Sequence, residues 1–324
     1  MNEIDHLRID VSVVIPVFNA EGTIGTLAER LVDVFGRDHS LQIVLVNDGS
    51  ADRTHEVCAG LVDKFLGTVS YIRLAKNFGE HNAVMAGLHH AEGAYVVIMD
   101  DDLENRPEDA ARLVEEAREK GFDIVYSSYP RRQHSWLRIL GSRFNGLVAN
   151  VLLDKPKDLY LSSFKCLSRW LVDEVLKYQG PFPYVDGLAL RCTRNIGRVT
   201  ASHQRRAGGR SGYNLRKLVG LWMNMLVNFS VVPLRTSTMI GFALCVTGGV
   251  VGVYIIVEKL AGRYIPAGWP FLVITLLLFS GVQLVMLGII GEYLGRLFLS
   301  SNATPQFVVR ELRGVVSKKE SRWR

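Results

Sequence analysis

The chain has 324 residues, enough for one large domain or two smaller ones with an ample core. A net charge of +6 and a pI near 9.1 leave nucleic acid, anionic lipid and anionic substrates open as partners. The four cysteines, Cys58, Cys166, Cys192 and Cys245, are widely spaced and form no CxxC pair or His-rich cluster, which argues against a disulfide framework or zinc site and fits a reducing compartment.

Hydrophobic residues make up 48% of the chain and the mean hydropathy is +0.15, high for a soluble protein, with the excess late in the sequence. Met1–Asp10 is polar, mixed in charge and without the pattern of a signal peptide. Val11–Ile15 reads as a strand stopped by Pro16, and Thr23–Phe35 has the spacing of an amphipathic helix. Leu41–Val46 is a second apolar strand, running into the polar loop Asn47–Asp52, and Arg53–Phe65 is helical. Val69–Leu74 is a third strand, followed by the loop Lys76–His81 and a helix over Ala83–Ala91. Tyr95–Met99 is a fourth, and it runs straight into Asp100, Asp101, Asp102, Leu103 and Glu104. Apolar strands alternating with helices predict a parallel sheet covered on both faces. In such sheets ligands bind outside the carboxyl ends of the strands, where loops 47–52, 76–81 and 100–104 converge. No GxGxxG or GxxxxGK[ST] follows a strand, so dinucleotide and P-loop readings have no support.

Three adjacent carboxylates repel one another unless a cation neutralises them. Hard oxygen ligands of this kind suit Mg²⁺ or Mn²⁺ holding a nucleotide diphosphate. The plainer reading is a solvated loop that caps the next helix, with Asp102 or Asn105 as N-cap before Pro107. The triplet alone leaves both open.

Pro107–Lys120 reads as a charged helix and Asp123–Ser127 as a further strand. Arg131, Arg132, His134, Arg138 and Arg143 then interleave with Trp136, Leu137, Ile139, Leu140 and Phe144. That pattern suits a basic helix face against an anionic ligand or lipid, or an ordinary solvated face. Asp158–Lys165 leads into a helix over Ser168–Tyr178, and residues 180–202 read as irregular or short strands. His203–Tyr213 is basic and Gly-rich, a loop able to wrap N–H groups and guanidinium forks around phosphate, or a linker.

Asn214–Phe229 is amphipathic and looks like an interfacial helix. Thr236–Val257 carries no charge and is long enough to span a bilayer, and Ile265–Ile290 is a second such run, with Trp269 as an interface aromatic. Gly241, Ala243, Gly248, Gly249 and Gly252 allow close packing of the two, and the short link Glu258–Tyr264 makes them a hairpin. Arg235 before them and Arg296, Arg310, Arg313, Lys318, Lys319, Arg322 and Arg324 after them place both flanks in the cytoplasm by the positive-inside rule. The expected organisation is a cytosolic catalytic domain over 1–213, an interfacial helix over 214–235, a transmembrane hairpin over 236–291 and a cytosolic basic tail over 292–324.

Taken together, VSVVIPVFNAEGTI (11–24), VNDGSADRT (46–54), NFGEHNAVMAGL (77–88), MDDDLENRPED (99–109), RRAGGRSGY (205–213), PLR (233–235), GEYLGR (291–296) and PQFVV (305–309) resemble the family-2 glycosyltransferases of GT-A fold. The likeness is to the polyprenyl-phosphate branch, which includes dolichol-phosphate mannose synthase, GtrB-type glucosyltransferases and undecaprenyl-phosphate aminoarabinose transferase. It implies an α/β, Rossmann-like and mostly parallel sheet. By that likeness Pro16, Asn19 and Glu21 bind the nucleotide, Asp48 contacts the base, and Asp100 and Asp102 are the ends of the DxD that holds Mg²⁺ or Mn²⁺. The family commonly has Asp-Ala-Asp-Leu-Gln here; this chain has Asp101 for Ala and Glu104 for Gln, the latter still an oxygen ligand for the metal, and Arg106 where Pro is frequent. Arg132 and Arg138 match basic positions after the fifth strand. Arg206, Gly209, Ser211 and Tyr213 match an Arg-x-x-Gly-x-Ser-Lys-Tyr loop in which Gly212 replaces Lys, shifting phosphate binding toward Arg205, Arg206 and Arg210. Asp158 falls at an acidic position before the acceptor helix, as a base or positioning group or as a structural residue, and SSFK (162–165) departs from the usual Asp-Phe-Arg.

The resemblance implies inverting transfer of one sugar from a UDP- or GDP-sugar to a polyprenyl phosphate, with undecaprenyl phosphate the expected acceptor. It also implies membrane lipids as surroundings, a bacterial inner-membrane location with both termini cytoplasmic, and a homo-tetramer. A processive polysaccharide synthase is the enzymatic rival, but its Gln-x-x-Arg-Trp motif is missing: Gln204–Ala207 lacks the Trp. A non-catalytic membrane scaffold is the rival of another class, opposed by the intact Asp100, Asp102, Asn19 and Asp48. Nucleic acid is not an expected partner, because the positive charge lies beside the apolar runs and the aromatics form no stacking platform.

Overall fold

The computed structural model describes residues 9–36, 40–128, 159, 161–201, 232–261, 268–302 and 304–314. Its centre is four parallel strands, β1 (Val11–Val17), β2 (Leu41–Asn47), β3 (Val69–Leu74) and β4 (Tyr95–Ile98), with β1 between β4 and β2. Val11 lies beside both Leu41 and Tyr95, so these strands start level and deliver their following loops to one edge. Helices cover both faces, which is why these strands are runs of apolar residues without alternation.

The crossovers are α1 (Ile24–Phe35), α2 (Thr54–Lys64) and α3 (Glu80–His90). α1 buries Ile24, Leu27, Ala28, Leu31 and Phe35, one stripe of a 3.6-residue period. After β4, α4 (Pro107–Lys120) starts with proline in its first turn and ends at Gly121, whose φ of 64° closes it in the left-handed region. Its N-cap is Arg106, in extended conformation and without a side-chain cap, so neither Asp102 nor Asn105 caps this helix as the plainer sequence reading had it. Asp102 Oδ1 instead accepts the Glu104 N–H at 3.1 Å, closing a tight turn around Leu103, whose φ is 61°.

The remaining strands break the parallel pattern. β5 (Ile124–Ser128) and β6 (Lys165–Ser168) are antiparallel, β6 is antiparallel to β4, β7 (Ile196–Thr200) is parallel to β5, and β8 (Val309–Arg313) is antiparallel to β3. The sheet order is therefore β7-β5-β6-β4-β1-β2-β3-β8. α5 (Arg169–Val175) follows β6, and α6 (Val185–Cys192) precedes β7, both α6 and β7 within the stretch that reads as irregular or short strands in sequence, of which only α6 departs from that reading. β8 belongs to the stretch that reads as a basic tail. Its exposed Arg310 and Arg313 are the charged residues by which edge strands avoid further pairing.

By contacts the chain divides into two units, residues up to 212 with those from 305, and residues 213–304. The second unit contains α7 (Val232–Leu260) and α8 (Trp269–Ser301). A Cβ on Gly241 would lie 3.5 Å from Met286 Cε, so the helices touch there, whereas Gly248 and Gly249 face nothing within 4 Å. Met239, Phe242, Leu276 and Leu284 are exposed. Among the described residues one segment, Phe279–Leu299, is long and apolar enough to cross a membrane, and Thr236–Val251 is a shorter apolar helix. α8 continues past the uncharged run to Ser301, so Arg296 lies within it, paired with Glu292 at 3.0 Å.

Candidate active site

The loops after β1, β2, β3 and β4 meet at the carboxyl edge and are tied to one another mostly through backbone N–H groups. Asn19, with φ of 52°, donates its N–H to Ser50 Oγ at 3.0 Å and accepts the Ala51 N–H on Oδ1 at 2.9 Å. Glu21 repeats the exchange one step on: its N–H goes to Asp52 Oδ2 at 3.2 Å and its Oε2 accepts the Arg53 N–H at 3.0 Å. Asp48 is buried, and its two oxygens accept the Phe78 and Gly79 N–H groups at 2.7 and 2.9 Å, fastening the loop after β3. Gly49 has φ of 74°, and a Cβ there would meet Asn77 N at 2.7 Å, so only glycine lets these two loops close up.

The three acids after β4 differ in what they touch. Asp101 Oδ2 accepts the Phe18 N–H at 3.0 Å, joining the acid loop to the loop after β1 across 83 residues. Burial pushes Asp101 up to about 6; the Phe18 bond opposes this and the charges of Asp100 and Asp102 reinforce it. Asp100 Oδ2 accepts the Ser163 hydroxyl at 2.5 Å. Glu80, the first residue of α3, is exposed as a whole, yet loss of water around its carboxyl pushes it up to about 7, with the charge of Asp100 the next cause.

Behind this edge lies a buried ion pair, Lys165 of β6 with Asp186 of α6, exposed by 3% and 6%. Tyr126 of β5 donates its hydroxyl to the same Asp186 oxygen at 2.9 Å, and the Lys165 ammonium lies 5.6 Å from the Tyr126 ring centroid. His81 meets Tyr184 edge-on at 5.1 Å, and burial pushes it down to about 4. Its folded pKa is thus below the unfolded 6.5, so the stability of the neutral ring is complete above pH 6.5 and lost as pH falls toward 4. In His81→Gln the drop in melting temperature between pH 7 and pH 4.5 is therefore smaller than in the wild type.

Of the residues singled out in sequence, Pro16, Asn19, Glu21, Asp48, Asp100, Asp102 and Glu104 all belong to the strand ends and loops of this edge. Asn19 and Glu21 are exposed on its rim, whereas Asp48 works underneath as a loop holder. Asp158, Arg132, Arg138, Arg205, Arg206 and Ser211 lie outside the described residues. Sequence reasoning did not single out Glu80, Ser163, Lys165 or Asp186. The first sat in a loop already noted, and the SSFK departure from Asp-Phe-Arg was the signal for the next two.

The profile of glycosyl transferase family 2 matches residues 12–170, from β1 to the start of α5. The chain is 31% identical over 312 residues to an undecaprenyl-phosphate 4-deoxy-4-formamido-L-arabinose transferase of Proteus mirabilis, covering 94% of each. It is 32% identical over 311 residues to the protein of that name from Pseudomonas aeruginosa, covering 93% of this chain and 90% of that one. Among solved structures, mannosyl-3-phosphoglycerate synthase from Rubrobacter xylanophilus superposes with a TM-score of 0.50 at 19% identity, over 71% of this chain and 75% of that one. Glucosyl-3-phosphoglycerate synthase from Mycobacterium tuberculosis does so with a TM-score of 0.50 at 18% identity, over 69% and 81%. At these identities the structural likeness concerns the fold alone.

Proposed function

The chain belongs to glycosyl transferase family 2, and on that premise we propose that it transfers one sugar from a nucleotide diphosphate sugar to a polyprenyl phosphate at a membrane surface. The observation that carries this reading is the reach of the similarity. It spans 94% of the chain, the apolar helices as well as the catalytic sheet, in relatives named as undecaprenyl-phosphate sugar transferases.

In this proposal the exposed rim of Asn19 and Glu21 receives the nucleotide, and the loop 47–52, held by Asp48 and Gly49, shapes the seat of the base. The donor set at the acid loop fits a hard divalent cation: Asp100 and Asp102 are half-buried carboxylates, with Glu104 two residues on. Among the described residues no group of three or more His, Cys, Asp or Glu is arranged to hold an ion alone. Mg²⁺ typically takes one or two carboxylates and completes its shell with water and substrate phosphate. Held by Asp100 and Asp102, Mg²⁺ or Mn²⁺ would offset the charge that grows on the departing diphosphate. Ser163 fixes the Asp100 carboxylate, and Asp101 holds the Phe18 loop against the acids.

The reaction forms a bond from an acceptor phosphate oxygen to the anomeric carbon and breaks the bond from that carbon to the donor diphosphate, which leaves with the electron pair; the configuration inverts. A phosphate monoester has a second pKa of about 6, so at neutral pH the acceptor is already largely deprotonated. Asp158 is then needed more to position the acceptor than to remove a proton, and Arg132, Arg138, Arg205, Arg206 and Ser211 would screen the two anions from one another. Phe279–Leu299 has 21 residues, about 30 Å of helix, the thickness of a bilayer core, and it supports a membrane-inserted α7–α8 pair.

The test is to incubate purified protein, Mg²⁺ and undecaprenyl phosphate with a panel of UDP- and GDP-sugars and nucleotide-activated 4-deoxy-4-formamido-L-arabinose, reading products by mass spectrometry. One donor yields a lipid-phosphate monosaccharide. A polymer would indicate a processive synthase, and turnover with no lipid product would sink the acceptor assignment.

A further inference from the structure

β8 rejoins the sheet after the two apolar helices, pairing Glu311 with Arg73 and Arg313 with Tyr71 on β3, and its neighbour Val308 accepts the Ala75 N–H at 2.8 Å. The Glu311 carboxylate lies 3.9 Å from His55 Nε2 and 3.9 Å from Arg73, and accepts from Arg313 Nε at 2.5 Å. His55 Nδ1 is 2.9 Å from the hydroxyl of Tyr71, a residue with no exposed surface. Asn47 Nδ2 donates to that same hydroxyl at 3.0 Å, Asn47 Oδ1 accepts the Ser50 N–H at 2.9 Å, and Ser50 Oγ accepts the Asn19 N–H. Hydrogen bonds thus run from His55 through Tyr71 and Asn47 to the nucleotide loop, and Glu311 of β8 adds a charge contact at 3.9 Å to the outer end.

Donor arithmetic gives the path a direction. The Asn47 amide can serve Ser50 only with its oxygen toward that N–H, so its NH₂ must face Tyr71, whose oxygen accepts. The Tyr71 proton is then free for His55 Nδ1, which puts the ring's own proton on Nε2, facing Glu311; the tautomer is assigned from these partners. Burial pushes Tyr71 up to about 12, so its hydroxyl keeps the proton at any working pH. With the other tautomer the buried Tyr71 proton would lose its acceptor, and the hold on the Asn47 amide would weaken with it.

We infer that Glu311 and His55 are positioning residues for the nucleotide loop, acting through Tyr71 and Asn47, so that the docking of β8 sets the affinity for the nucleoside diphosphate part of the donor. The inference rests on the nucleotide-sugar reading above. Neither residue reaches substrate; each acts by orienting the next.

The experiment measures UDP and GDP binding by titration calorimetry on the full chain, and donor KM and kcat with the acceptor saturating. Tyr71→Phe, which removes one hydroxyl and keeps the ring, is expected to weaken nucleoside diphosphate binding and raise donor KM by about 3–10-fold, the weight of one hydrogen bond, with kcat within about twofold. Glu311→Ala, at the half-buried sheet edge, is expected to do the same to a smaller extent with the melting temperature measured alongside, and Glu311→Gln, which keeps a polar oxygen beside His55, to restore part of the loss. Unchanged affinity in Tyr71→Phe and Glu311→Ala would overturn the inference, as would a fall in kcat and melting temperature with donor KM unmoved. Should the wild type itself bind neither nucleotide, the nucleotide-sugar reading falls first, and the two failures are told apart by that control.

Discussion

Asp102→Asn lowers sugar transfer by about 100-fold or more in kcat/KM while the melting temperature stays close to that of the wild type. The substitution is nearly isosteric, and the amide oxygen can still accept the Glu104 N–H, so the turn around Leu103 keeps its closing bond. What goes is the negative charge at the point where the proposal puts a divalent cation and the diphosphate, and a neutral amide is a poorer ligand for a hard ion. Two readouts separate this from a folding defect. Transfer to polyprenyl phosphate collapses, and the stabilisation of the wild type by Mn²⁺ with a nucleoside diphosphate, seen as a rise in melting temperature, is lost. Undiminished transfer by Asp102→Asn would show that the acid loop is not where the diphosphate is held.

Lys165→Met carries the largest expected cost in stability. Methionine replaces the apolar stem of lysine but removes the ammonium, leaving Asp186 as a buried carboxylate with the Tyr126 hydroxyl as its remaining donor in this cluster. Breaking a buried pair from one side costs about 3–5 kcal/mol, far more than the pair's own net worth. For a unit of this size that lowers Tm by roughly 10 °C. The double variant Lys165→Met/Asp186→Asn removes both charges while leaving Tyr126 an acceptor, and recovers part of the loss. A single-variant cost under about 1 kcal/mol would show that no uncompensated charge is left in the interior. Lys165 sits opposite Ile98 on β4, two residues before Asp100, and Ser163 precedes it by two; transfer falls with stability because the ledge beneath the acids loosens.

The parallel half of the sheet was legible in the sequence because each strand there is buried on both faces and shows as a mostly apolar run; Val69–Leu74 was bounded to the residue. β6 was not, being four residues long and held between two antiparallel neighbours, too short to display a period. β8 was hidden by its charges, which suit an edge strand and a solvated tail equally well. The site divides the same way. Polar loops after apolar strands announced Asn19, Asp48 and the acid triplet. The bond from Phe18 to Asp101 could not be read, since it depends on two loops meeting across 83 residues. That bond gives the acid at position 101 a structural task. Asp101 is a staple between loops, its carboxyl pushed up to about 6 by burial. Lys165 and Asp186 come from a short strand and an unforeseen helix, and only the folded sheet brings them together.

The place of β8 in the chain also fixes an order of manufacture. Roughly 235 residues separate β3 from the strand that completes its edge, at translation rates of about 5–20 residues per second a delay on the order of ten seconds or more. Throughout that interval the nascent sheet exposes an open row of backbone donors and acceptors, an invitation to mispairing. Both apolar helices are synthesised before the gap is filled, so the catalytic layer is sealed only after they have left the ribosome.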